Sequence, residues 1–371
     1  MLVSRHPRKW VARMKQLISM LVGILVIVAI LFGFRHQLES SLGITGGNTI
    51  VFYNWGDYID PELLTQFEEE SGYTVIYETF DSNEAMVAKI EQGGTTYDIA
   101  VPSEYMIEQM IEQDLVQEID HSRLPNLENI NPRFLDLEFD PDNRFSIPYF
   151  WGTLGIIYNT NYIEEGEIQH WDDLWRPEYR NSIMIYDGAR EVLGIGLQSL
   201  GYSLNETDST RLREATNKMK TLMPNILALV ADELKMHLGN EEATIGVTFS
   251  GEASMAIWDN PELAYVVPEE GSNLWFDNIV IPHNASNIDG AYALIDFLLR
   301  PDVAAQNADY VGYSTPNDEA MKLMDPEVIE DQAFYPTGET LDNLEVYRGL
   351  GQEKLIEYND LFLEIKIEPR D

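Results

Sequence analysis

The sequence predicts an α/β protein of two lobes carried behind an N-terminal transmembrane helix. Three observations lead there. The chain has 371 residues, more than one average core needs and enough for two lobes of roughly 150 residues each. From Asn48 onward, strand-like and helix-like segments alternate, the rhythm of a mostly parallel sheet covered by helices. Ahead of them lies an apolar run, Leu17 to Phe34, interrupted only by Ser19, Gly23 and Gly33.

That run is about 18 residues, close to 27 Å as a helix and just enough for a bilayer core. Up to Phe34 the only charged side chains are Arg5, Arg8, Lys9, Arg13 and Lys15, all basic, with His6 beside them. Residues 1–16 are therefore expected in the cytoplasm, 17–34 in the membrane and everything after on the outer side. No small-residue cleavage pattern follows; Ala29 runs on into Ile30, Leu31 and Phe32, so the expectation is an uncleaved single-pass anchor. Residues 35–47 read as a polar tether.

Thr49 to Tyr53 reads as the first strand. Asp60 caps a helix with Pro61 at its first position, Leu63, Leu64 and Phe67 share one face, and Gly72 ends it. Thr74 to Tyr77 is the next strand. Ser82 caps a helix carrying Met86 and Ile90 that stops at Gly93-Gly94, and Asp98 to Val101 is a further strand. A second set has strands at Ile156 to Tyr158, Ile183 to Tyr186, Ile245 to Phe249 and Tyr265 to Val267, with helices over Arg190 to Leu200 and Ser209 to Leu222. A strand at Ile279 to Pro282 and an amphipathic helix from Ile288 to Arg300 close the pattern. Between two such lobes, beyond the carboxyl ends of strands, lies the expected ligand cleft.

Composition narrows the chemistry. Cysteine is absent, which excludes disulfides, thiolate metal sites and a lipid anchor on cysteine. The formal net charge is −39, which repels nucleic acid and anionic headgroups and attracts cations, although solubility alone also accounts for such a charge. No phosphate loop, H-E-x-x-H or G-x-S-x-G motif occurs, and the six histidines are scattered. No catalytic residue, metal or cofactor is expected. With 63 acids in the chain, a carboxylate pair for glycosidase work would turn up anywhere and carries no signal.

Five segments put aromatics beside turn residues or acids where strands end: Phe52 to Tyr58, Asp98 to Tyr105, Tyr186 to Glu191, Asn273 to Asn278 and Tyr310 to Asn317. Each alone has a plain structural reading, such as Asp187 capping the helix after it. Together they describe a cleft with aromatic walls and a few acids. Such walls sandwich methylenes and attract ammonium groups, and the carboxylates satisfy the charge. The site suits an organic cation better than a sugar, a phosphate or an anion.

These segments also carry a resemblance. FYNWGDY (52–58), TFDSNEAMVAKI (79–90), YDIAVPSEY (97–105), FSIPYFWGTLGIIYN (145–159), WDDLWRPEYRNSIMI (171–185), DGAREVLG (187–194), LWFDNIVIP (274–282) and YVGYSTPN (310–317) resemble, in order, the spermidine/putrescine-binding (PotD) family of ATP-driven importers, in its membrane-anchored Gram-positive form. The resemblance implies a type II periplasmic-binding-protein fold with residues 48–155 plus 276–321 in lobe 1 and 156–275 plus 322–371 in lobe 2. It implies a monomeric receptor that hands spermidine or putrescine to the membrane permease and ATPase subunits of an ABC importer. By position, the family's ligand contacts fall on Trp55, Tyr58, Ser103, Tyr105, Glu191, Trp275, Asp277 and Tyr313. Three positions depart from the family pattern. An expected acid is Gly188, with Asp187 one place earlier; a pocket tryptophan is Phe249; and a late polar position falls near Arg348. Rival readings are a same-fold receptor for another small solute, a carboxylate-dependent surface hydrolase, and an anchored adhesin.

Overall fold

The structure, a computed structural model, describes residues 47–230 and 233–369. The expected membrane run and the tether up to residue 46 lie outside the described residues; among those described, no helix is long and apolar enough to cross a membrane.

Among the described residues nine strands share one sheet: β1 (Thr49–Trp55), β2 (Thr74–Phe80), β3 (Ile99–Ala100), β4 (Ser146–Asn159), β5 (Ile183–Tyr186), β6 (Ile226–Val230), β7 (Ile245–Phe249), β8 (Leu263–Val266) and β9 (Leu274–Val280). Their order is β2-β1-β3-β9-β4-β7-β5-β6, with β8 also on β4. The sheet is mixed rather than mostly parallel. β1 runs parallel to β2 and β3, and β5 to β6 and β7. β4 and β9 pair antiparallel with each other and with their other neighbours.

β4 is what joins the lobes. Its residues 146–153 pair with β9, and 154–159 with β7 and β8. All fourteen of its residues are buried. The cores divide along it: Phe150 and Trp151 pack with Phe52, Leu63, Phe276 and Ile295, whereas Leu154 and Ile156 pack with Trp171, Val192, Leu212 and Val247. The tail of the chain serves both. Met324, Tyr335 and Leu341 lie in the first core and Tyr358 to Ile365 in the second, so the segment expected wholly in lobe 2 begins against lobe 1.

Helices α1 (Pro61–Ser71), α2 (Asn83–Gln92) and α3 (Glu104–Glu112) follow the first three strands. Asp60 accepts from the Glu62 N–H at 2.9 Å, and Gly72 closes α1 in the left-handed conformation at φ 75°. Ser82 accepts from the Ala85 N–H and starts α2. In lobe 2, α4 (Ala189–Gln198), α5 (Ser209–Leu222), α6 (Leu234–Gly239) and α7 (Ser250–Asp259) cover the sheet. α8 (Ile288–Leu298) and α9 (Pro301–Val311) return to lobe 1, and a C-terminal helix, Gly351–Lys366, packs on α4 and α5. The carboxyl ends of β1, β3, β5 and β7 therefore open toward one groove between the lobes, with β4 and β9 as its floor.

Candidate ligand-binding site

β9 supplies the floor of the site. Trp275 and Asp277 are two residues apart, so they project on the same face of the strand. They sit inside a strand, not at a strand end as the sequence suggested. Opposite Trp275 in the register is Gly152 of β4, where a Cβ would overlap the indole. The missing side chain lets the ring lie flat on its neighbour strand.

Asp277 is 7% exposed. Tyr58 donates its hydroxyl to Oδ2 at 2.6 Å, and Ser103 donates to Oδ1 at 2.7 Å. Burial pushes the carboxyl up to about 6, although both hydroxyl donors favour the ionised form. No cationic side chain pairs with it among the described residues. Tyr58 reaches Asp277 because the chain turns at Gly56-Asp57, where Asp57 adopts φ 51° just after β1.

Ser103 stands at the N-cap of α3, yet makes no capping bond; its hydroxyl is spent on Asp277 instead. Asn83 fixes that arrangement. Its Oδ1 accepts from the Ser103 N–H at 3.0 Å, and its Nδ2 donates to Ser103 Oγ at 3.1 Å and to the Tyr105 hydroxyl at 2.9 Å.

Rings form the walls. Tyr313 follows the left-handed turn at Gly312 that ends α9. It meets Trp275 edge-on at 5.2 Å and Tyr58 at 5.4 Å. It also crosses to lobe 2, lying so close on Gly251 that a Cβ there would overlap the ring. Phe249, the last residue of β7, meets Trp275 at 6.1 Å and Tyr186 at 4.9 Å, so the aromatic wall is continuous there. Trp55 ends β1, tilts on Phe80 at 4.5 Å and keeps a buried Nε1 without a hydrogen-bond partner.

Glu191 lies in the first turn of α4, half-buried. Its carboxylate folds over Gly188, where a Cβ would overlap Oε2. Burial holds its carboxyl above the usual range, while its own backbone N–H and the Arg190 guanidinium pull it back. Asp187 does not join this group. Lys366 of the C-terminal helix donates to both of its oxygens, at 2.7 and 2.8 Å. Arg348 pairs with Glu138 across the rim at 2.9 Å, and the Gly349 N–H donates to Glu108 at 3.2 Å. Those contacts border a cavity of 430 Å³ lined from both lobes.

Two buried groups escaped sequence reasoning. Glu104 follows Ser103, and its electrostatic neighbours include Asp277 and Arg190. Tyr347 has an unpartnered buried hydroxyl near Glu191 and Glu104, with Arg190 stacked on its ring at 4.1 Å. An acid after a Pro-Ser turn was a weak signal for the first; nothing local marked the second. Among the described residues no cluster of acids and histidines is placed to hold a metal ion.

Two α/β lobes sharing crossing strands, with rings and buried acids gathered at their junction, define a two-lobed solute-binding protein. The chain belongs to the bacterial extracellular solute-binding protein family, whose model matches residues 62–336. It has that family's periplasmic-binding-protein fold, which places the lobes outside the cytoplasm, periplasmic or extracellular. It is 42% identical over 341 residues to the spermidine/putrescine-binding periplasmic protein of Escherichia coli K12, covering 90% of this chain and 98% of that one. It is 33% identical over 307 residues to the putrescine-binding periplasmic protein PotF of the same organism, covering 78% and 83%. The crystal structure of the spermidine/putrescine ABC transporter substrate-binding protein PotD of Streptococcus pneumoniae, with calcium and HEPES, is 59% identical and superimposes with a TM-score of 0.82, covering 87% of this chain and 100% of that one.

Proposed function

We propose that this chain binds spermidine or putrescine in the groove and delivers it to the permease and ATPase subunits of an ABC importer. The observation that carries this reading is Asp277, a buried carboxylate held by two hydroxyls, walled by Trp275 and Tyr313 and left without a cationic side chain. A buried acid so placed is costly until a cation reaches it. An ammonium group supplies that cation, and the flanking rings accept the methylenes. The same chemistry argues against an amino acid, whose carboxylate would meet the buried Asp277 with no cation between them. Arg190 donates to Asn205 and stacks on the ring of Tyr347.

In this reading Trp55, Tyr58, Tyr105, Phe249, Trp275 and Tyr313 line the ligand's carbon chain. Asp277 and Glu191 take ammonium groups and Ser103 orients Asp277. Asp187 is assigned to Lys366 and Arg348 to the rim. The chain carries out no reaction of its own. It works as a monomer of the type II fold, with lobe 1 from 48–155 and 276–321 and lobe 2 from 156–275 and 322–371, the start of that last segment packing on lobe 1, tethered by a span over 17–34. Ligand bound on one lobe favours closure of the other, because contacts to both exist only when closed.

Isothermal titration of the full-length chain in detergent with spermidine and putrescine tests this. Saturable binding of either is the expected result; no heat and no thermal shift at millimolar amine refutes it. Protease protection of residues 1–16 in intact cells, with 48 onward cleaved, tests the anchor.

A further inference from the structure

Glu104 is 1% exposed, the most deeply buried acid of the groove. It is the first residue of α3, directly after the serine that holds Asp277. Its Oε2 accepts from the Phe276 N–H at 3.0 Å, which pins the carboxyl beside β9. Its Oε1 is buried and has no hydrogen-bond partner among the described residues. A carboxyl oxygen taken from water with nothing to accept from is expensive to keep. Tying α3 to β9 explains Oε2, and a glutamine would do it equally well. It leaves the second oxygen and the choice of an ionisable side chain unexplained.

The surroundings are those of the ligand groove. The charged and titratable groups facing Glu104 are Asp277 from β9, Arg190 from α4, Tyr347 from the segment before the C-terminal helix, and Tyr105 from its own helix. Arg190 is the sole cation among them, and it donates to Asn205 at 2.9 Å and stacks on Tyr347 instead of bonding to Glu104. Three acids thus face one groove, two from lobe 1 and one from lobe 2.

Resting on the polyamine reading above, we propose that Glu104 is a third carboxylate partner of the bound amine and makes the site selective for a triamine over a diamine. A diamine has two ammonium groups, which Asp277 and Glu191 satisfy. A triamine brings a third, and Oε1 of Glu104 is the acceptor left for it. Charge-assisted bonds of this kind are strong enough to discriminate. Burial pushes the Glu104 carboxyl up to about 8, against the backbone N–H groups of Phe276 and of Glu104 itself. Near pH 7 it therefore holds a proton that an arriving ammonium displaces, so triamine binding releases a proton and tightens as pH rises from 6 to 8.

The test is calorimetry of the full-length chain with spermidine and with putrescine at pH 7, in buffers of different ionisation heat. Glu104→Gln keeps the acceptor for Phe276 and removes the charge. The expected result is a loss of about 10- to 100-fold for spermidine, a change under about threefold for putrescine, and loss of most of the proton released with spermidine. Equal losses for both amines, or unchanged selectivity with unchanged proton release, overturn the assignment of Glu104 while the wild type still binds both amines. If the wild type binds neither amine, the polyamine reading itself fails. Should Glu104→Gln not fold, Glu104→Asp decides: weakened spermidine binding with proton release retained supports the assignment, and wild-type affinity for both amines refutes it.

Discussion

Asp98 and Asp277 are both buried aspartates of lobe 1, and their surroundings are opposite. Asp98 lies just before β3. Its Oδ2 accepts from the Val51 N–H at 2.9 Å, and its Oδ1 accepts from the N–H groups of Ser286 and Asn287 at 2.8 and 2.7 Å and from the Ser286 hydroxyl at 3.2 Å. Those donors belong to β1 and to the lead-in to α8, so one carboxylate ties three parts of the lobe together. Asp277 has two hydroxyls and no backbone donor. A hydroxyl donor can turn away or share, whereas an N–H fixed in the backbone cannot. The saturated acid belongs to the architecture. The under-satisfied one is, in the proposed reading, the acid an arriving ammonium group pairs with.

The largest effect expected from this contrast is on Asp98. Asp98→Ala strands three backbone N–H groups and a hydroxyl, each costing about 1–3 kcal/mol when buried and unpaired. Denaturant melts should show a loss of about 4 kcal/mol or more, while amine affinity of the folded fraction stays within about twofold. A loss below about 1 kcal/mol would break the comparison.

Asp277→Asn comes next. Removing a charged partner for an ammonium group should weaken amine binding by about 1.5–3 kcal/mol. Without ligand the variant should be as stable as the parent or more so, since an unpaired buried charge is gone. Unchanged affinity would remove Asp277 from the site.

The two replacements should also part company with pH. The Asp277 carboxyl is raised from an ordinary 3.8 to about 6 by burial. A raised carboxyl favours the folded state only while protonated. Its contribution is complete below about pH 4 and is lost as pH climbs through 6, on the order of 2–3 kcal/mol. Ligand-free melting temperature should therefore fall between pH 4 and 8, and fall less steeply in Asp277→Asn. Saturating amine should flatten the parent's profile. Parallel profiles for parent and variant would place Asp277 in water rather than in the groove.

The lobes were legible where the chain announces its own turns. Asp60, Pro61 and Gly72 bracket α1, and Ser82 opens α2, because caps act on residues within one helical turn. β4 was half missed for a physical reason. Every one of its residues is buried, so the alternation that marks a half-exposed strand is absent, and Pro148, Gly152 and Gly155 interrupt its first part. Missing that strand also hid the antiparallel pairing that places Trp275 and Asp277 within β9. The aromatic and acidic segments were recognisable as a set. Which acids stay in the groove was not, because contacts hundreds of residues away decide it. Ser103 shows the limit: by position it is a helix cap, and only Asp277, far along the chain, reveals where its hydroxyl goes.

Asp187 and Glu191 give the smallest and sharpest case. They are four residues apart on the same strand-to-helix turn, and in sequence either is a fair partner for a cation. The fold separates them. Glu191 tucks over Gly188 at the head of α4, while Asp187 turns outward to Lys366, a pair whose side chains are 32% and 36% exposed. Ion pairs that exposed are worth about 0–1 kcal/mol and are screened by salt. Asp187→Asn should accordingly change stability by less than about 1 kcal/mol and amine affinity by less than about twofold, with the stability difference vanishing in high salt. Glu191→Gln in the same assay should cost about tenfold or more in affinity, as expected for a charged partner at a half-buried site. If the two variants lose affinity equally, Lys366 does not hold Asp187 in solution, and the turn presents both acids to the ligand.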